Sequence, residues 1–92
     1  MQKYGAERAK AIELRLHFLK AAPSLATVPP HPPQRRHQLS GDRKEQFAVD
    51  IKHPYRLVFA PNHNPLPQKA DGGIDLGQIT AIIILNVEDY HK

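Results

Sequence analysis

The stretch "QFAVDIKHPYRLVF", residues 46–59, decides the fold of this chain, because its apolar residues alternate with other residues in two short runs. Alternation with a period of two is typical of a β-strand that packs one face on a core. Two such runs on either side of a short break predict a β-hairpin. The apolar residues that would share one face are Phe47, Val49, Ile51, Tyr55, Leu57 and Phe59.

The register of this hairpin follows from the shared apolar face. All six side chains lie on one face only if Ile51 is opposite Tyr55, which leaves residues 52–54 as the loop. The same register places Asp50 opposite Arg56 on the other face. The remaining predicted pairs are Val49 with Leu57 and Phe47 with Phe59.

Upstream of the hairpin, apolar residues at a spacing of three and four predict an amphipathic helix over residues 6–22. Pro23 ends the helix, and the proline-rich segment 23–34 is predicted to be a connector without regular hydrogen bonding. A short strand is predicted at residues 36–39.

Downstream, residues 60–78 are rich in Pro, Gly, Asn and Asp and predict a long surface loop. Residues 79–87, "ITAIIILNV", have apolar side chains at both odd and even positions, so both faces of a strand formed there would be apolar. Such a strand is typical of a central position in a sheet. The order of elements predicts an α+β fold, with the helix packed on one face of a small, mainly antiparallel sheet. The chain has 92 residues, so we expect a single domain over residues 1–92.

The composition excludes several classes of protein. The chain has no Cys, which excludes disulfides and thiolate zinc sites. Its longest apolar stretch is too short to span a membrane, and the N-terminus lacks the apolar segment of a signal peptide, so we expect a soluble, cytoplasmic protein. The formal net charge of +4 favours a polyanionic partner, of which nucleic acid is the commonest.

Several cationic side chains are candidates for that partner, and each has a simpler alternative. The guanidinium of Arg56 suits a phosphate, or it pairs across the hairpin with Asp50. His37 follows two arginines, which favours a neutral proton acceptor, or it is an ordinary exposed loop residue. Arg43 and Lys44 either contact a nucleic-acid backbone or solubilise a turn.

The C-terminal residues Asp89, Tyr90 and His91 follow directly after the apolar strand. His and Tyr exchange protons, and a carboxylate orients an imidazole, so the three suit acid–base chemistry. The alternative is a solvated tail. The six His residues show no metal-ligand spacing.

Three segments together resemble the HigB-type toxins of the RelE/ParE superfamily, the toxin halves of bacterial toxin–antitoxin operons. They are "YGAERAKAIELRLHFLKAAPSL" (4–25), "RRHQLSGDRKEQFAVDIKHPYRLVFAP" (35–61) and "DGGIDLGQITAIIILNVEDYH" (71–91). The resemblance implies a RelE-like fold whose concave basic face enters the ribosomal A site and cleaves messenger RNA. It implies a HigA-like antitoxin as protein partner, and no metal or small-molecule cofactor.

The resemblance also assigns roles to individual residues. Arg56 corresponds to the arginine that stabilises the phosphate, while the proton-transfer and orienting groups are His37, Asp89, Tyr90 and His91. The basic residues available for RNA binding are Arg35, Arg36, Arg43 and Lys44.

Two features depart from the family pattern. The family commonly has Leu-Lys-Gly-Asp where this chain has "LSGD", so Ser40 stands in place of a lysine. The family also begins with a strand and a helical segment ahead of the Tyr-Gly pair at residues 4–5, so we expect an exposed apolar ladder edge. Two alternatives therefore stay open: a toxin remnant that binds antitoxin or RNA without cutting, and a ParE-like gyrase inhibitor.

Overall fold

A computed structural model describes residues 3–51 and 54–89. These residues form one α-helix and a four-stranded antiparallel sheet, which is a small α+β fold. The helix is α1 (Lys3–Ala21), and the strands are β1 (His37–Gln38), β2 (Phe47–Asp50), β3 (Tyr55–Pro61) and β4 (Ile82–Asp89). Their order in the sheet is β1-β2-β3-β4. Three single-turn 3-10 helices lie between them, at Leu25–Thr27, Gly41–Arg43 and Leu76–Gln78.

The predicted register of the β2–β3 hairpin is confirmed. Asp50 lies opposite Arg56, and the amide nitrogen of Ile51 donates to the carbonyl oxygen of Tyr55 over 3.1 Å. The structure also contains the two apolar pairs, Val49 with Leu57 and Phe47 with Phe59.

The apolar face of the hairpin forms the core. The rings of Phe47 and Phe59 stack with centroids 6.1 Å apart, and both residues are fully buried. Ile12 and Leu19 of α1 pack against this cluster. Arg15 fixes the helix further, because its Nε donates to the carbonyl oxygen of Asp50 over 2.8 Å. The helix therefore packs against the apolar face of the hairpin.

The proline-rich connector contributes more to the core than its composition indicates. Leu25 and Val28 are both buried, and the Leu25 amide donates to the carbonyl oxygen of Ile79 over 2.9 Å. The segment between Pro23 and Pro29 is free of proline, so one 3-10 turn forms there and directs its apolar residues inward.

The prediction of a central position for the last strand is wrong. β4 begins at Ile82 and pairs only with β3 in the part of the chain that the structure describes. Three of its apolar side chains are consequently exposed: Ile83 by 51%, Ile84 by 41% and Leu85 by 45%. Leu85 is the extra residue of a β-bulge, since Val58 lies opposite Asn86 and Phe59 opposite Ile84. Apolar residues at both odd and even positions indicate a strand with two apolar faces. They do not require that another strand pairs with each of its two edges.

No helix within the described ranges has both the length and the apolar character needed to cross a membrane.

Candidate functional site

A cleft of about 310 Å³ opens on the face of the sheet that α1 does not cover. The pairing of the strands builds this face, because directly opposite residues point to the same side of a sheet. His37 lies opposite Ala48, which lies opposite Val58, and Arg56 is two residues from Val58 along β3. The residues that line the cleft are His37, Gln38, Leu39, Ser40, Arg43 and Arg56.

Glu88 bridges the two arginines of this cleft. It lies opposite Arg56 in the sheet, and its Oε1 accepts a hydrogen bond from Arg56 Nη2 over 3.0 Å. Its Oε2 accepts hydrogen bonds from Arg43 Nη2 and, over 3.3 Å, from Asn86 Nδ2. Two guanidinium groups that would repel each other are thereby held side by side, and the three charged groups together carry a net charge of +1.

The same contacts determine the ionisation of Glu88. The hydrogen bond from Arg43 lowers the pKa of the Glu88 carboxyl below its usual value, and those from Arg56 and Asn86 lower it further. Desolvation of the carboxylate acts in the opposite direction but is outweighed. Glu88 is therefore ionised at neutral pH, and the cluster keeps its three charges.

His37 is held in one tautomer by a backbone contact. Its Nδ1 lies 2.9 Å from the carbonyl oxygen of Arg35. A carbonyl oxygen only accepts hydrogen bonds, so Nδ1 carries the proton in the neutral ring and Nε2 has a free electron pair. The geometry thus gives the cleft a proton acceptor beside two guanidinium groups.

The other predicted RNA-binding residues have different surroundings. Arg35 Nη1 lies 3.4 Å from Asp50 Oδ2, and the Arg35 side chain is 55% exposed. Arg36 Nε donates to the carbonyl oxygen of Val28 over 2.7 Å, and burial lowers the pKa of Arg36. Arg36 therefore holds the connector in place, whereas Lys44 is exposed to solvent at the edge of the site.

The C-terminal candidates do not extend this cleft within the described residues. Asp89 lies opposite Tyr55, which packs against the core, so the register places Asp89 on the α1 side of the sheet and not beside Arg56. Tyr90 and His91 lie outside the described residues. The structure thus brings His37, Arg43 and Arg56 together on one face, and Asp89 is on the other.

Sequence reasoning missed Glu88. Its position opposite Arg56 depends on the β3–β4 register. That register cannot be derived from the sequence, because the long loop of residues 62–81 separates the two strands. The bulge at Leu85 adds a second shift that the sequence does not indicate. The sequence offers one clue, a carboxylate at position 88 that falls on the same face of the sheet as Arg56. This clue becomes useful only once the pairing of β3 with β4 is known.

Among residues 3–51 and 54–89, no three His, Asp or Glu side chains converge as ligands for a metal ion. Comparison of the chain with protein-family models, with curated proteins and with solved structures found no significant match.

Proposed function

We propose that the protein is a HigB-like toxin of a type II toxin–antitoxin system, an endoribonuclease that cleaves messenger RNA on the ribosome. The observation that carries this proposal is the cleft in which the proton-accepting His37 lies beside Arg43 and Arg56. The net positive charge of the chain supports a polyanionic substrate. Ribosome-bound messenger RNA would be met in the bacterial cytoplasm.

The reaction proposed for this cleft uses the RNA itself as the nucleophile. Nε2 of His37 takes the proton of a ribose 2′-hydroxyl, whose oxygen attacks the adjacent phosphorus. The new O2′–P bond forms as the P–O5′ bond breaks, which gives a 2′,3′-cyclic phosphate and a 5′-hydroxyl end. Arg56 and Arg43 donate to the phosphate oxygens on which negative charge develops.

The departing 5′-oxygen needs a proton. By its resemblance to the HigB toxins, the chain end supplies this proton from Tyr90 or His91.

A non-cutting remnant that still binds antitoxin or RNA is the second candidate, and two observations favour it. Ser40 lines the cleft at the position where the family has a lysine. Glu88 also offsets one of the two guanidinium charges that the reaction needs.

Cleavage of a defined message on purified ribosomes separates the two candidates. The enzyme should give new RNA ends only when ribosomes are present, with a 2′,3′-cyclic phosphate on the upstream product, and expression without a HigA-like antitoxin should arrest growth. Wild-type protein that neither cuts the message nor arrests growth would reject the endoribonuclease and favour the remnant.

A further inference from the structure

The Glu88 carboxylate lies between the guanidinium groups of two arginines. Its two oxygens each contact one nitrogen of a different guanidinium, Arg43 Nη2 and Arg56 Nη2. Carboxylate and phosphate oxygens are interchangeable acceptors for arginine, and both use the same planar arrangement of donors. The cluster therefore has the geometry of an anion site that already holds an anion from the chain itself.

The two arginines differ in how firmly the fold holds them. Arg56 and Glu88 lie opposite each other on β3 and β4, and the Arg56 side chain is only 18% exposed. Arg43 comes from the 3-10 turn Gly41–Arg43, and its side chain is 39% exposed. Arg43 can thus leave the carboxylate without breaking any hydrogen bond of the sheet ladder, whereas Arg56 cannot move without its strand.

We propose that Glu88 acts as an internal competitor for the phosphate site, and that a phosphate group binds by displacing the Glu88 carboxylate from Arg43 while Arg56 stays in contact with Glu88. The ligand is a phosphate group, and identifying it as an RNA phosphodiester rests on the proposed function. In this arrangement Glu88 keeps the two guanidiniums together in the empty cleft and weakens the binding of small anions.

Phosphate titrations of matched variants test this competition. Glu88→Gln removes the charge while keeping the shape of the side chain, and Glu45→Gln makes the same charge change at an exposed position on the neighbouring loop. Removing a carboxylate next to the bound anion should tighten the binding of inorganic phosphate about tenfold. The Glu45→Gln variant should change it by less than about twofold, because water screens its charge.

A third variant locates the effect. If the phosphate takes the place of Glu88 on Arg43, combining Arg43→Gln with Glu88→Gln should return phosphate binding to the wild-type level or below. A gain that survives the loss of Arg43 would place the anion elsewhere and overturn the proposal. Phosphate binding in Glu88→Gln that equals or falls below that of wild type would also overturn it and leave Glu88 as a structural brace.

The displacement of Glu88 from Arg43 can also be followed in the wild-type protein by NMR spectroscopy. During a phosphate titration, the guanidinium resonances of Arg43, whose Nη2 contacts Glu88, should shift strongly in NMR spectra. Those of Arg36, which is bonded to a backbone carbonyl, should stay nearly constant. Equal shifts at the two arginines would indicate a general salt effect and contradict the displacement.

The source of the phosphate is distinguished by a second titration, with a short oligonucleotide that carries a 2′-deoxy substitution and cannot be cleaved. Tighter binding of the oligonucleotide than of inorganic phosphate supports a phosphodiester ligand, and the reverse supports a free phosphate. Neither titration uses ribosomes, so a protein that fails to cut messenger RNA would still confirm or reject the role of Glu88.

Discussion

At the scale of single residues, the cleft shows how a fold holds two like charges together. Arg43 and Arg56 come from distant parts of the chain, and Glu88 is the one carboxylate in the described residues that contacts both. A carboxylate bridge of this kind lowers the mutual repulsion of the guanidiniums and fixes their orientation. It also reduces the positive charge that the proposed site offers to a phosphate. The same carboxylate therefore positions the arginines and weakens their attraction for an anion.

Arg56→Gln tests the role of the partly buried Arg56 in the reaction. Loss of its guanidinium should lower the rate of messenger cleavage by about a hundredfold or more, the usual effect of removing one group that stabilises transition-state charge. Arg35→Gln is the matched control, because Arg35 is exposed and pairs with Asp50 outside the cleft. Single-turnover cleavage on ribosomes measures both rates, and equal losses in the two variants would remove Arg56 from the catalytic site.

The lowered pKa of Glu88 predicts a pH dependence of stability. A carboxyl whose pKa falls on folding stabilises the folded state above its unfolded-state pKa, and this contribution disappears as the pH falls through the lower folded-state pKa. Denaturant unfolding of wild type and Glu88→Gln should therefore differ most near neutral pH and converge in acid. A difference that stays constant from pH 7 to pH 3 would show that the Glu88 charge contributes nothing.

At the scale of secondary-structure elements, what the sequence predicts depends on the length of the connections. The β2–β3 register follows from the sequence because the connection between the strands is short and the apolar face is unambiguous. The β3–β4 register does not, because the loop of residues 62–81 leaves the pairing open and the bulge at Leu85 changes the alternation. The position of Arg56 opposite Asp50 was therefore predictable, while the pairing of β1 with β2, the position of Glu88 and the position of Asp89 required the structure.

The His63 side chain holds the segment that leads into β4. Its Nε2 accepts two backbone hydrogen bonds, from the amides of Thr80 over 3.0 Å and Ala81 over 3.2 Å. His63→Ala should lower the free energy of unfolding by about 1 kcal/mol, since two backbone donors lose their acceptor and gain only water. His17→Ala, on the exposed face of α1, should change it by less than about 0.5 kcal/mol. Urea unfolding would contradict this account if the two variants were equally stable.

At the scale of the whole molecule, the basic cleft and the exposed apolar edge lie on different parts of the sheet. The cleft extends over β1 and β3, whereas β4 presents Ile83 and its neighbours at the edge. An apolar edge strand with unpaired backbone groups favours pairing with another chain. Anion binding and self-association should consequently respond to different substitutions.

Sedimentation of the purified chain should show association that rises with protein concentration. Ile83→Lys should reduce it, because a charge on an edge strand opposes edge-to-edge pairing. Leu14→Lys places the same charge at an exposed leucine of α1 and should leave the association nearly unchanged. A wild-type protein that stays monomeric at high concentration would contradict the expected edge pairing.

The central claim, that His37 takes a proton in a cleft whose arginines hold the phosphate, is tested most directly by the pH dependence of ribosomal messenger cleavage. Wild-type protein should cut in single-turnover reactions with a rate that rises with pH, as expected for a reaction that uses a general base. His37→Gln should be slower by about a hundredfold or more and should lose that rise. Cleavage by His37→Gln at the wild-type rate, with an unchanged pH profile, would contradict the account.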